Sequence, residues 1–312
     1  MLNHPSQIFT KTMVKFVVLV LSIFLSTAGY ARASFFSLDS LPQKHAVTAA
    51  QLCQSKKFDE ARAEVDLAIY TELESNDPYT WYIRGYIYKE LYKLEGKTEL
   101  STNLRETAVM SLLKSHELSP VADQNNDAAL SYLASTYFRD ALLAASEFIE
   151  VSDSTCFELF DAYRNIQAVV GSVEKVNVGY VELLHTRCRS LLNMHAKDRC
   201  NEVLFLEVKR SYEEILSYQK NDCIAMYNLA ITYYNTAVFS NDALPDAACY
   251  DAPERERFLE NSLNLLKEME SNCDDKSSAY RALANVLRAS NRSEEASVYD
   301  EKFKSTSAAK DK

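Results

Sequence analysis

Glycine and proline are scarce, at 5 and 6 in 312 residues. Proline breaks helices and glycine weakens them, so their scarcity suits a chain built almost wholly from helix. Pro42, Pro78 and Pro120 stand where helices begin, and no proline lies between Pro120 and Pro245. Outside the N-terminus there is no sustained alternation of apolar and polar residues, which is the mark of a half-buried strand. Positive charge is also in short supply. The formal net charge is -10, and setting aside Lys11, Lys15 and Arg32 leaves about -13 on the rest by simple charge counting. Such a chain repels phosphate backbones and has no basic stripe to offset the repulsion, so no nucleic-acid partner is expected.

Signatures of catalysis are missing as well. The chain has no Gly-rich phosphate loop, no G-x-S-x-G, no H-E-x-x-H and no acidic calcium loop. Its carboxylates are scattered along helices in the manner of solvated faces. The expectation is a non-catalytic protein without cofactor or resident metal.

The first positive feature is an export pattern. Lys11 and Lys15 precede the apolar run FVVLVLSIFLSTAG, and ARAS follows. That is a basic region, an apolar region of about 14 residues and a small-residue site at Ala31-Arg32-Ala33. The run is shorter than the roughly 20 residues of a spanning helix. Met13, in MVKF, would open a tighter basic region. Residues 1–33 therefore read as a signal peptide, 34–303 as the folded domain and 304–312, KSTSAAKDK, as a disordered tail. The expected location is periplasmic or secreted, with no membrane insertion after cleavage.

The second feature is a recurrence. In AMYNLAITYYNTAV, bulk at Met226 and Leu229, a small residue at Ala230 and bulk at Tyr233 repeat a pattern found elsewhere. Trp81, Arg84, Gly85 and Tyr88 carry it, as do Leu130, Leu133, Ala134 and Tyr137. Tyr180, Leu183, Leu184 and Arg187 carry it more weakly, and Tyr280, Leu283, Ala284 and Leu287 close the series. The gaps between first positions are 49, 50, 46 and 54. A second helix accompanies each unit: Ala61, Val65, Ala68; Ala108, Leu112, Ser115; Ala162, Ile166, Val169; Val208, Tyr212, Ile215; Ser262, Leu266, Met269; Ala296, Asp300, Phe303. Recurrence of this kind is the signature of a repeat array. The joining stretches LESNDP, SPVADQNND, QKND and NCDDKSS are rich in residues that cap helices and close turns. In NDALPDAACYDAPERE, residues 241–256, Pro245 and Pro253 predict a loop.

Trp81, Gly85, Tyr88, Ala108, Leu112 and Pro120 resemble the tetratricopeptide repeat, W-x2-L-G-x2-Y…A-x3-F…P. The resemblance covers roughly residues 43–303 and implies an all-α solenoid of about five to six stacked helical hairpins. Its period is about 34 residues, so the middle hairpins here are elongated, and only the first and last look standard. The resemblance also implies a concave recognition face made by the first helix of each unit. Carried over, that face holds Tyr79, Tyr82, Tyr86, Phe138, Arg139, His185, Arg189, Tyr227, Ile231, Tyr234, Asn235, Arg281, Asn285 and Arg288. Tyrosine and arginine dominate interface hot spots.

Seven cysteines are an odd number, so at least one is free or pairs between chains. Cys188 and Cys200 lie symmetrically about Met194 near a hairpin top. They are unlinked, bridged, or part of a zinc set with His185 and His195. The repeat frame brings Cys223 and Cys273 together as a second bridge, since one begins a hairpin and the other ends it. Cys53, Cys156 and Cys249 remain. The expected function is an exported scaffold for a protein or peptide partner. The alternative is a periplasmic small-ligand binder linked to solute transport.

Overall fold

The computed structural model describes residues 44–96, 98–119, 123–148, 150–171, 173–239 and 249–310. Residues 1–33, read above as a signal peptide, and Pro42, Pro120 and Pro245 lie outside them. The described residues form thirteen helices and no strand. A first hairpin joins α1 (His45–Gln54) to α2 (Phe58–Ala68), and the short α3 (Glu72–Ser75) follows. The second joins α4 (Pro78–Leu94) to α5 (Glu99–Leu118), and the third α6 (Gln124–Glu147) to α7 (Thr155–Val170). The fourth joins α8 (Val173–Lys197) to α9 (Glu202–Tyr218), and the fifth α10 (Cys223–Val238) to α11 (Ala252–Asn272). The sixth is α12 (Lys276–Ala289) with α13 (Ser293–Lys310). Each helix packs foremost on its hairpin partner and then on the next hairpin, which makes an all-α helical-repeat solenoid.

The turn chemistry explains where the helices start. Asp77, Thr98, Asp123, Asn201, Asp222 and Asp251 each accept a backbone N–H of the helix that follows. Pro78 opens α4, where its missing N–H costs nothing. Glu74 is buried and accepts from the Ala46 N–H at 2.9 Å, which closes the open end of α1. The two short turns, at the first and last hairpins, are built alike. Lys56 and Asn291 both take φ 59°, and Lys57 and Arg292 donate back to Leu52 and Leu287. This is the left-handed helix stop, to which asparagine adapts well and lysine at some cost.

The bulk–small–bulk pattern is the packing surface of the hairpins. Gly85 faces Leu112, and a Cβ placed there would stand 2.5 Å from the Leu112 Cγ. Ala230 likewise lets α11 approach so closely that Ser262 Oγ donates to the Ala230 carbonyl at 2.7 Å. Leu133, Ala134, Tyr137, Leu229, Tyr233, Leu283 and Leu287 are all buried.

One unit departs from the expected register. In α7 the buried residues are Cys156, Phe160, Tyr163 and Ile166, while Val169 is 37% exposed. Phe160 and Tyr163 meet Phe138 with ring centroids 6.2 and 5.0 Å away, and Phe160 also meets Tyr180 at 5.3 Å. Rings bury more surface than the alanine and valine that the recurrence puts there. At the same junction α8 packs chiefly on α6 and little on α7, unlike the other junctions. Gly179 makes this approach, since a Cβ there would lie 3.3 Å from the Phe138 ring. The apolar interior accordingly divides in two. Leu183 belongs to the N-terminal core, whereas Val181, Leu184 and Cys188 of the same helix belong to the C-terminal one. Arg187 is buried at this seam. It donates to the Val151 and Asp153 carbonyls at 2.9 and 3.1 Å and lies over Phe148 and Phe157.

Three expectations need correction. The tail is helical, since α13 continues to Lys310; residues 311–312 lie outside the described ones. Pro253 does not extend the loop but sits in the first turn of α11, where proline is tolerated. Cys188 and Cys200 do not pair. Helix α8 runs straight past Met194 to Lys197, so 12 residues of mostly helical rise, roughly 18 Å, separate the two. Cys200 is bonded to Cys249, with Cα atoms 5.1 Å apart. Cys223 is bonded to Cys273, with Cα atoms 6.0 Å apart.

Candidate functional site

The first-helix faces of the six hairpins do not form one uniform strip. On α4, Tyr79, Tyr82 and Tyr86 follow at three- and four-residue spacing and therefore share a face. Tyr79 is 45% exposed, and Tyr82 and Tyr86 are half-buried with ring centroids 6.2 Å apart. Lys89 is buried beneath them, with its Nζ 4.0 Å from the Tyr86 ring and 2.9 Å from Glu90. Burial raises the pKa of all three tyrosines, and neighbouring acidic groups add to it, so they stay neutral hydrogen-bonding rings.

The other carried-over residues are spent on the fold to differing degrees. Phe138 packs against Phe160, Tyr163 and the Gly179 backbone. His185 pairs with Asp222 at 2.9 Å and ties α8 to the cap of α10. Arg189 is exposed and donates to Thr186. Tyr227, Ile231 and Tyr234 are half-buried against the C-terminal core. Asn235 is half-buried, and its backbone carbonyl accepts the Phe239 N–H at the end of α10. Arg288 donates to Asn285 and pairs with Asp300, while Arg281 is exposed. No three of His, Cys, Asp and Glu among the described residues gather as metal ligands. Cys200, being oxidised, is no longer a thiolate donor.

A cavity of about 590 Å³ lies where the second hairpin's turn meets the third hairpin. Tyr92 and Lys93 reach it from α4, Ser101, Thr102 and Arg105 from α5, Tyr132, Arg139 and Asp140 from α6, and Leu159 from α7. Of the carried-over residues only Arg139 lines it. Arg105 is 5% exposed. Its Nη1 donates to Asp140 Oδ2 at 2.6 Å, and its guanidinium lies 3.8 Å from the Tyr137 ring centre and 5.6 Å from that of Tyr92. Burial opposes its charge, but the Asp140 hydrogen bond and the adjacent hydroxyls outweigh it and raise the pKa. Arg139 Nε stands 3.7 Å from the second oxygen of Asp140.

The cavity is a product of elongation. The recurring pattern ends at Tyr88 in α4 and at Tyr137 in α6, and it begins at Ala108 in α5. Tyr92, Lys93, Arg139, Asp140 and Arg105 all lie outside the residues that carry the recurring pattern. The repeat pattern says nothing about these positions, and of the five only Arg139 falls on the first-helix face that the resemblance implies. One sign was available: Arg105 falls three residues before Ala108, on the stripe that the pattern buries. A charged residue on a buried stripe calls for a partner.

Fold and site together define a class, an elongated all-α repeat solenoid with a tyrosine face and a polar cavity. No family model matches the chain, and no curated protein matches it.

Proposed function

We propose that this is an exported tetratricopeptide-like scaffold that binds a protein or peptide through the first-helix face of its N-terminal hairpins. The observation that carries the reading is the Tyr79, Tyr82, Tyr86 face, three rings that packing leaves at least partly open. Rigid, amphipathic tyrosines give large contact area at small entropic cost, which suits recognition. Two cystine bridges accord with an oxidising compartment and with the N-terminal export pattern. The test is capture from envelope extract by the wild-type protein and by Tyr79→Ala/Tyr86→Ala. A stoichiometric partner retained by the first and lost by the second is the expected result. A partner held equally by both would sink the reading.

The second reading, a small-ligand binder serving solute transport, is favoured by the cavity at Arg105. Its volume falls in the range of small-molecule sites.

A further inference from the structure

We propose that the cavity between the second and third hairpins binds a small monocarboxylate, with its charged end at Arg105 and Arg139 and its apolar body against Tyr92, Tyr132 and Leu159. This goes beyond the peptide-scaffold reading and gives the second reading its ligand chemistry, resting on the same cavity.

Charge is the first argument. The cavity is lined by three cations, Lys93, Arg105 and Arg139, and two carboxylates, Glu95 and Asp140. Lys93 is answered by Glu90 at 2.9 Å. Arg105 and Arg139 both lean on the single carboxylate of Asp140, at 2.6 and 3.7 Å. Glu95 is exposed, so beside the two guanidiniums the carboxylate within ion-pair distance among the described residues is that of Asp140, and this end of the cavity favours one more negative charge. A dianion would bring a second charge close to Asp140 and Glu95, so a monoanion fits better.

Unused hydrogen bonding is the second. A guanidinium carries five N–H donors. Arg105 is almost fully buried, yet its Nε has no hydrogen-bond partner among the described residues. A buried donor without an acceptor is costly, and arginine's planar fork matches a carboxylate in two-point geometry. A ligand drawing the guanidinium a few tenths of an ångström into the cavity would relieve that cost. The same wall carries the first turn of α5, a 20-residue helix, with Ser101 and Thr102 facing the cavity. Helix N-termini favour anions.

The walls are the third. Lys93 Nζ lies 4.8 Å from the Tyr132 ring, and Tyr92, Tyr132 and Leu159 give apolar surface that inorganic phosphate could not use. Tyr92, Lys93 and Leu159 lie outside the recurring pattern, so a hairpin of the ordinary 34-residue length would lack most of this wall.

Isothermal titration of the full chain with benzoate, benzamide and inorganic phosphate tests the proposal. Benzoate is expected to bind saturably with one site per chain, and benzamide and phosphate at least about tenfold more weakly, the loss of one charge-assisted contact. Arg139 is mostly exposed, so Arg139→Gln should fold normally and weaken benzoate about tenfold by the same reasoning. Arg105→Lys keeps the charge but loses the planar fork and should weaken it further. Tyr79→Ala lies outside the cavity and should leave benzoate binding intact, whatever becomes of a peptide partner. Absence of saturable benzoate binding, equal affinity for benzamide or phosphate, or an Arg139→Gln protein that binds as well as wild type would overturn the proposal.

Discussion

The first three hairpins and the last three solve one problem by different chemistry. Both halves carry helices longer than a standard repeat needs, and neighbouring elements must be held to one another. The N-terminal half holds them with ion pairs. Arg84 donates to Asp66 and to Ser111, both at 2.8 Å, and Tyr88 donates to the same Asp66 at 2.7 Å. Arg105 and Asp140 do the same for the second and third hairpins. The C-terminal half holds them with sulfur and rings. Cys249 ties the segment before α11 to Cys200 beyond α8, and Cys223 ties the start of α10 to the end of α11. Phe205, Tyr233, Tyr250 and Phe258 then pack with centroids 5.0 to 6.3 Å apart. Ion pairs leave solvated space beside them, and the cavity at Arg105 measures about 590 Å³. The bridged aromatic cluster borders a smaller cavity, of about 310 Å³.

The comparison breaks most directly at the bridges. Cys223 and Cys273 stand 50 residues apart in sequence, and opening a loop of that size costs about 2–4 kcal/mol. Cys223→Ser/Cys273→Ser should therefore lower the stability of the C-terminal half by about that amount. Hydrogen exchange read along the chain should speed up in α10, α11 and α12 and change little in α1 to α5. A uniform rise over all six hairpins would show that the two cores act as one cooperative unit.

A change in the other half sharpens the contrast. Gly85→Ala adds a methyl group 2.5 Å from Leu112 Cγ and 3.0 Å from the Ala108 carbonyl. Leu112 is fully buried and cannot retreat. Overpacking costs about 1–3 kcal/mol, against about 0.5–1 kcal/mol gained by replacing a helical glycine. The net loss should fall in the N-terminal half, by urea melt and local exchange. A stabilised variant would mean that α4 and α5 are less closely packed than the repeat frame requires.

The helical repeat was legible because small and bulky residues alternate at helical spacing and the spacing recurs. Gly85, Ala230 and Ser262 mark close approaches that larger side chains would forbid. The Cys223–Cys273 bridge followed from the same frame, since hairpin ends meet. The register of α7 was hidden because the recurrence was extended through it on spacing alone, while Phe160 and Tyr163 decided the packing. The Cys200–Cys249 bridge was hidden because nothing between Arg187 and Lys197 stops a helix, yet a turn was placed there. Arg187 stood at a tyrosine position in the pattern, and its task is to hold two carbonyls of the α6–α7 connection. The Arg105 cavity was hidden because most of its lining, Tyr92, Lys93, Arg105, Asp140 and Leu159 among it, lies outside the recurring pattern.

The smallest expected effect is a pH dependence confined to the C-terminal half. His195 is buried near the end of α8, its ring 6.2 Å from Phe205, and its Nε2 has no hydrogen-bond partner among the described residues. Burial lowers its pKa; the backbone of Arg199 and the charge of Asp198 push it up, and the charge of Arg199 pushes it down. The folded value thus lies below the usual histidine value of about 6.5. Through the window beneath 6.5 the unfolded chain binds more protons than the folded one, so stability rises with pH there. The contribution is complete above about 6.5 and is lost as pH falls toward the folded value, by less than about 1.4 kcal/mol per pH unit. His195→Phe removes the titrating group and keeps an apolar ring beside Phe205. Urea melts from neutral to mildly acidic pH should show the difference between wild type and variant narrowing or reversing in the variant's favour as pH drops. A difference independent of pH would mean that His195 charges without leaving its site, and that this half is as open to water as the other.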